Sequence, residues 1–150
     1  MSLLAVSFLL ITAAFAVNGN KAEYDGGTEN QVKTKTEGTV STTGTVNFVF
    51  SADHGSISIP YAEVNDLEYG QKAGRRVGLA IMVTPLALFS KKRKHFLTIG
   101  WKDEHGQQHV AIFELGKHIV RVTLATLEAR TGRKVEYQDD EARKSGLGGE

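Results

Sequence analysis

An apolar run in the middle of the chain, Val77 to Phe89, lies between two basic clusters and constrains the fold more than any other feature. As a helix it would span about 20 Å at roughly 1.5 Å per residue, whereas the hydrocarbon core of a bilayer is about 30 Å thick. Pro85 would interrupt such a helix, and basic residues at both ends give no charge asymmetry to orient it. The run therefore does not predict a transmembrane helix.

Two interpretations of this run stay open. The one we favour is a pair of short buried strands, Val77 to Val83 and Leu86 to Phe89. In the other, an apolar loop enters a membrane or a partner groove through Leu86, Leu88 and Phe89. The flanking residues that would then contact an anionic surface are Arg75, Arg76, Lys91, Lys92, Arg93 and Lys94. A solvated basic loop that discourages edge-to-edge aggregation explains the same charges equally well.

Charge alone predicts only weak binding of this segment to a membrane. Each Lys or Arg near an anionic surface contributes about 1 kcal/mol, so six of them contribute roughly 6 kcal/mol. Micromolar affinity corresponds to about 8 kcal/mol. Insertion of apolar side chains, at roughly 1.5–3 kcal/mol for each large one fully buried, would therefore be needed as well.

The first residues of the chain indicate export. Leu3 to Ala14 has the length of the hydrophobic part of a signal peptide, and Ala14-Phe15-Ala16 fits a small-x-small cleavage site. We predict a signal peptide at residues 1–16 and a periplasmic or secreted protein, peripheral to a membrane where it binds one. An uncleaved anchor and a buried N-terminal helix are the alternatives.

The rest of the chain divides into a polar leader, a folded region and a polar tail. Residues 17–36 lack hydrophobic periodicity and predict a flexible leader, while residues 138–150 predict a disordered polar tail. Within residues 37–137, short segments of alternating apolar and polar residues predict antiparallel strands. Two of these segments, 95–101 and 108–115, are separated by a strong turn signal and predict a β-hairpin.

One amphipathic helix is predicted from Lys117 to Thr131, at the end of the folded region. Four residues share one face at the helical period of 3.6: Val120, Thr123, Leu124 and Leu127. Gly132 stands where a left-handed residue commonly ends a helix. Together these patterns predict a mainly β protein with one C-terminal helix.

Three passages resemble a known family. Ile59-Pro60-Tyr61-Ala62-Glu63-Val64-Asn65-Asp66-Leu67-Glu68-Tyr69, with Lys94 to Ile99 and Val110 to Lys117, resembles bacterial PH-like and GRAM-like domains and small exported bacterial proteins of unassigned function. The resemblance covers residues 37–137. It implies a PH-like bent antiparallel sheet, or a partly open barrel, capped by the C-terminal helix. It does not carry phosphoinositide binding to this chain, because the loop near Thr42-Thr43-Gly44 has no Lys or Arg.

The sequence shows no pattern typical of catalysis or of a bound cofactor. It has no cysteine, no phosphate-binding loop and no dinucleotide fingerprint. His105 and His109 flank a turn without a set of carboxylates, which makes a poor metal site. Asp53-His54 lies near serines, but no nucleophile-elbow sequence accompanies it. We therefore predict a non-enzymatic protein without a cofactor or a metal site.

These observations predict an exported interaction module that binds an anionic membrane surface or an envelope partner through basic loops 72–76 and 91–94. A protein-assembly module without lipid contact is the alternative, and a small hydrolase that uses Asp53, His54 and Ser56 is the least favoured. Nucleic acid is not predicted as a partner, because the formal net charge is only +1 and Trp101 alternates with core residues.

Overall fold

The computed structural model describes residues 20–71 and 94–148, and a single mixed sheet dominates them. The strands are β1 (Lys21–Gly27), β2 (Thr36–Ser41), β3 (Asn47–Ala52), β4 (Gly55–Pro60), β5 (Val64–Gly70), β6 (Phe96–Lys102), β7 (Gln108–Leu115) and β8 (Glu136–Tyr137). Their order is β4-β3-β2-β1-β7-β6-β5-β8, and all neighbours are antiparallel except β5 with β8. The helices are α1 (Val120–Thr131) and α2 (Asp140–Gly146), with 3₁₀ turns at Tyr61–Glu63 and Lys117–Ile119.

The connection between β4 and β5 requires the sheet to curl. Only the 3-residue turn Tyr61–Glu63 joins these strands, and such a link reaches about 14 Å at most. In a flat sheet with this strand order, β4 and β5 would lie roughly 29 Å apart, at about 4.8 Å per strand. The two edge regions of the sheet must therefore approach each other, although no pairing between strands closes the sheet.

A group of aromatic rings fills the inside of this curl. Phe113 on β7 lies with its ring centroid 5.3 Å from those of Phe48 and Phe50 on β3, and 5.7 Å from that of Tyr24 on β1. In the sheet order, β1 and β2 lie between β7 and β3. Curvature brings these side chains into contact, and all four are buried.

Helix α1 packs against the same core beside the turn that joins β4 to β5. All four residues of its predicted apolar face are buried: Val120, Thr123, Leu124 and Leu127. Gly132 ends the helix in the left-handed region, with φ 69°. The Arg133 side chain then donates to the backbone carbonyl of Val64 at 3.3 Å. The predicted mainly β fold, with a partly open sheet and a C-terminal helix, is confirmed.

The predicted β-hairpin is also confirmed, as β6 and β7. Its register pairs Ile99 with Ala111 and Trp101 with His109. At its turn, one Asp103 carboxylate oxygen accepts from the backbone N–H groups of His105, at 2.9 Å, and Gln107, at 2.8 Å. No helix within the described ranges is long and apolar enough to cross a membrane.

The prediction of a flexible leader at residues 17–36 is wrong for β1, which lies in the middle of the sheet. Its inward side chains include the buried Tyr24, while Glu23 and the buried Asp25 form ion pairs with Lys35. A bulge after Tyr24 breaks the alternation. At Gly27, φ is +148° and a Cβ would lie 2.2 Å from the Val110 carbonyl oxygen. Paired charges and glycines therefore concealed a central strand.

The prediction of a disordered tail at residues 138–150 is wrong for α2. Asp139 begins this helix, and its carboxylate accepts from the backbone N–H of Ala142 at 2.7 Å. Ala142 is fully buried in the core, and Gly146 fits against Tyr69 and Tyr137. The small residues that made the tail look unstructured are those that allow its close approach.

We expect Phe113→Ala to lower the free energy of unfolding by about 3–5 kcal/mol, because it leaves a cavity where three other rings meet. Urea denaturation followed by tryptophan fluorescence measures the change. Val46→Ala is the control, because Val46 is 67% exposed and its replacement should change stability by less than about 0.5 kcal/mol. Equal effects of both substitutions would contradict the central position of Phe113.

Candidate functional site

A cleft of about 610 Å³ opens where β6 begins and β7 passes into α1, and we call it the cationic cleft. Its lining includes His95, Glu114, Lys117, His118, Arg121 and Ser145. Three parts of the chain far apart in sequence therefore meet there: the start of β6, the β7–α1 junction and α2.

The β7–α1 junction positions the cations. After β7, the Gly116 N–H donates to the Lys21 carbonyl at 2.9 Å, and the Gly116 carbonyl accepts from the Ile119 N–H at 3.1 Å. This turn leaves Lys117 and His118 exposed at the surface. Arg121 follows one helical turn later and passes beside Gly148, which closes that side of the cleft.

Basic side chains are unusual at the N-terminal end of a helix. The positive end of the helix dipole favours acidic residues, and a side-chain cap normally accepts from the free N–H groups. Here the first turn of α1 has no acidic residue, and neither Gly116 nor Ile119 supplies a side-chain cap. Helix stability does not explain Lys117, His118 and Arg121, whereas a bound anion would be stabilised by both the charges and the dipole.

A hydrogen-bonded chain of three side chains supports the wall of the cleft. The Tyr69 hydroxyl oxygen lies 2.6 Å from His95 Nδ1 and 3.1 Å from Ser145 Oγ. Burial raises the pKa of Tyr69 above its ordinary value, although the bond from Ser145 acts in the opposite direction. Tyr69 therefore keeps its proton, and its hydroxyl can donate to one of these two neighbours while it accepts from the other.

His95 is neutral at neutral pH. Burial lowers its pKa below the ordinary 6.5 and the charge of Lys117 lowers it further, whereas Glu114 has the opposite effect. His95 therefore adds no positive charge to the cleft at neutral pH.

The acidic side chain among the described lining residues, Glu114, is paired. Its carboxylate accepts from Lys94 Nζ at 2.6 Å, and that ammonium group lies 5.9 Å from the centre of the Phe96 ring. Lys94 was predicted to contact an anionic surface, and the structure places it next to the cleft with its charge shared. The Glu114 charge thus does little to offset the cations.

The other residues predicted to contact a membrane lie outside the described residues. They are Arg75, Arg76, Lys91, Lys92 and Arg93 in the basic clusters, and Leu86, Leu88 and Phe89 in the apolar run. The cluster 91–94 leads directly into His95, so the sequence connects it to the cleft without an intervening residue.

The remaining polar candidates do not assemble into a second site. His109 lies between two carboxylates, with Nδ1 3.0 Å from Glu29 and Nε2 3.0 Å from Asp103, and it stacks on Trp101. Among the residues that the structure describes, none form a group suited to a metal ion. Asp53 and His54 are exposed at the β3–β4 turn.

Sequence reasoning assigned Lys117, His118 and Arg121 to the helix and did not see them as a site. The available signal was three basic residues around a helix start, where acidic residues are expected. The positions of Tyr69 and Ser145 carried no comparable signal, because their contact joins residues 76 positions apart.

Comparison with known proteins assigns no family to this arrangement. No model of a known protein family matches the chain, and no curated protein matches it.

We expect acidification to destabilise the protein through His95. The unfolded chain, in which the pKa of His95 is 6.5, takes up the proton at a higher pH than the folded chain. The free energy of unfolding therefore falls as the pH drops through 6.5, and the loss stops below the folded pKa. Urea denaturation at about pH 8 and pH 5 measures this fall in the free energy of unfolding.

His95→Gln keeps a side chain that can hydrogen-bond to Tyr69 but cannot titrate, so it should reduce this pH dependence. His54→Gln, at an exposed turn, is the matched control and should behave like the parent protein. A pH dependence unchanged by His95→Gln would show that the effect arises elsewhere.

Proposed function

We propose that the protein is an exported, non-enzymatic interaction module of the PH-like and GRAM-like type, which binds an anionic membrane surface. Binding uses the cationic cleft together with basic segments 72–76 and 91–94. The observation that carries this proposal is the group of Lys117, His118 and Arg121 around the uncapped start of α1, in a cleft whose carboxylate, Glu114, is already paired.

The cleft leaves the contribution of charge alone nearly unchanged. Lys94 is engaged with Glu114, which leaves five of the six basic residues named for surface contact, and Arg121 adds one. At about 1 kcal/mol each, six cations contribute roughly 6 kcal/mol. That corresponds to a dissociation constant on the order of 40 μM before salt screening. Charge alone then gives weak, salt-sensitive binding, to which headgroup contacts inside the cleft would add.

The architecture supports the family proposal. A curled, mainly antiparallel sheet precedes α1, which packs beside the β4–β5 turn. The hydrogen-bonded chain through Tyr69 connects the cleft wall to the core, so the lining of the cleft rests on a packed scaffold. A rigid wall of this kind suits recognition of a headgroup, because little side-chain freedom is lost on binding.

We expect the purified protein to float with vesicles of phosphatidylcholine and phosphatidylglycerol but not with phosphatidylcholine alone. Binding should weaken as salt is added. Arg121→Glu should weaken it at least about 5-fold, since one basic residue contributes about 1 kcal/mol and reversal adds repulsion.

Lys102→Glu is the matched control. It makes the same change in net charge, but Lys102 is exposed at the other end of β6, away from His95. Equal, negligible flotation with both vesicle types would reject membrane binding. Equal losses in the two variants would instead show that net charge, and not the cleft, controls it.

Protein assembly through β4 is the second candidate. This strand ends the sheet order, so one of its edges pairs with no described strand and can accept a strand from another chain. Sedimentation velocity over a range of concentrations tests self-assembly, and Ser58→Lys, at an exposed position of β4, should shift any oligomer toward monomer. A monomer at every concentration would count against it.

A small hydrolase built on Asp53, His54 and Ser56 remains the least favoured proposal, because no hydrogen bond between these exposed residues organises them in the described structure.

A further inference from the structure

Two large apolar side chains are exposed to solvent beside the cationic cleft. Within the part of the chain that the structure describes, the exposed large apolar side chains are those of Val46, Val122 and Leu147. Val122 follows Arg121 on α1, and Leu147 precedes Gly148. Gly148 lies against the Arg121 side chain, because a Cβ built on it would be 3.3 Å from Arg121 Cδ. Val122 and Leu147 are therefore next to two contacting residues that both line the cleft.

The packing of α2 turns Leu147 outward. Ala142 and Gly146 are buried on the inner side of this helix, and a Cβ at Gly146 would lie 2.6 Å from the Tyr137 ring. Successive helical residues are turned by about 100°, so Leu147 points away from that contact. Its N–H donates to the Arg143 carbonyl at 3.1 Å. The exposed fraction of Leu147, 60%, thus follows from a packed and hydrogen-bonded backbone.

Basic side chains accompany the two apolar ones. Lys144 is exposed three residues before Leu147, so both lie on the same side of the helix end. Arg121 is exposed on the α1 side of the cleft. Arg143 pairs with Asp140 at 3.2 Å, which cancels the charge of that pair. Apolar side chains among cations are typical of surfaces that enter the headgroup layer of an anionic bilayer.

The protein is acidic on the other side of the β7–α1 junction. Gly116 also lines a second cleft, of about 500 Å³, which extends over β1 and β2. Glu23, Glu37 and Asp53 line this cleft together with one lysine, Lys21. An anionic bilayer would be repelled from that side, so the charge distribution directs α1 and α2 toward the membrane.

We propose that Val122 and Leu147 enter the headgroup layer of an anionic bilayer. Arg121 and Lys144 then contact the lipid phosphates beside them. This inference rests on the proposed membrane function and identifies the surface that meets the bilayer. Charge alone gives weak binding, whereas transfer of apolar side chains out of water adds a contribution that salt does not screen.

Fluorescent labels at single positions test the proposal. The chain has no cysteine, so Val122→Cys, Leu147→Cys and Val46→Cys each carry one nitrobenzoxadiazole label. Vesicles of phosphatidylcholine and phosphatidylglycerol are added, and flotation is measured on the same samples. We expect the emission from positions 122 and 147 to rise and shift to the blue on binding. It should fall again when the lipid carries a quencher near the headgroup.

Val46 is the matched control. It is 67% exposed and precedes β3, whose opposite end leads to Asp53 in the second cleft. The six residues of β3 separate these ends by about 20 Å, so a label at position 46 should keep its aqueous emission. Flotation with unchanged emission from position 147, or equal changes at positions 46 and 147, would overturn the proposal. Absence of flotation would overturn it together with the proposed function.

Unlabelled variants give the second measurement. Leu147→Ser should weaken vesicle binding about tenfold, because it removes most of the apolar surface that is transferred from water. Its effect should persist at high salt, whereas that of Arg121→Glu should fade. Val46→Ser should bind like the parent protein, and circular dichroism establishes that all variants fold. Equal affinities of Leu147→Ser and the parent protein would reject insertion.

Discussion

The short connection between β4 and β5 is the constraint on which the rest of the structure depends. Three residues cannot join strands on opposite sides of a flat sheet, so the sheet must curl until those sides approach. Curling creates an interior in which Phe113 meets rings from strands that are not its neighbours. It also creates an end against which α1 packs, because that helix contacts the connecting turn. Core, helix position and cleft all follow from this geometry.

The cationic cleft forms where the chain passes from β7 to α1, at one end of the curled sheet. β7 must turn sharply at Gly116 to begin the helix, and that turn presents basic side chains around uncapped backbone donors. Positive charge at the N-terminus of a helix is unfavourable by itself, because it lies beside the positive end of the helix dipole. A bound anion would offset this repulsion. Burial and the charge of Lys117 keep His95 neutral, and the hydrogen bonds of Tyr69 connect His95 to α2 through Ser145. Charge and scaffold are thus supplied by different parts of the chain.

Local patterns predicted the elements whose periodicity is undisturbed. The β6–β7 hairpin alternates cleanly, and α1 has one apolar face and a glycine after its end, so both were predicted close to their observed bounds. β1 was missed because a bulge, two glycines and ion-paired acidic residues obscure its alternation. α2 was missed because its buried residues are Ala142 and Gly146, which carry little hydrophobic signal. In both cases the stabilising partner is distant in sequence, so no local pattern could reveal it.

By itself, the sequence determined the alternation of the strands and the long C-terminal helix, because both depend on residue spacing. Only the tertiary structure decided which charges act together. Lys94 pairs with Glu114, and Lys117 and Arg121 share a cleft with His95, because strand register and the β7–α1 turn bring them to one end of the sheet.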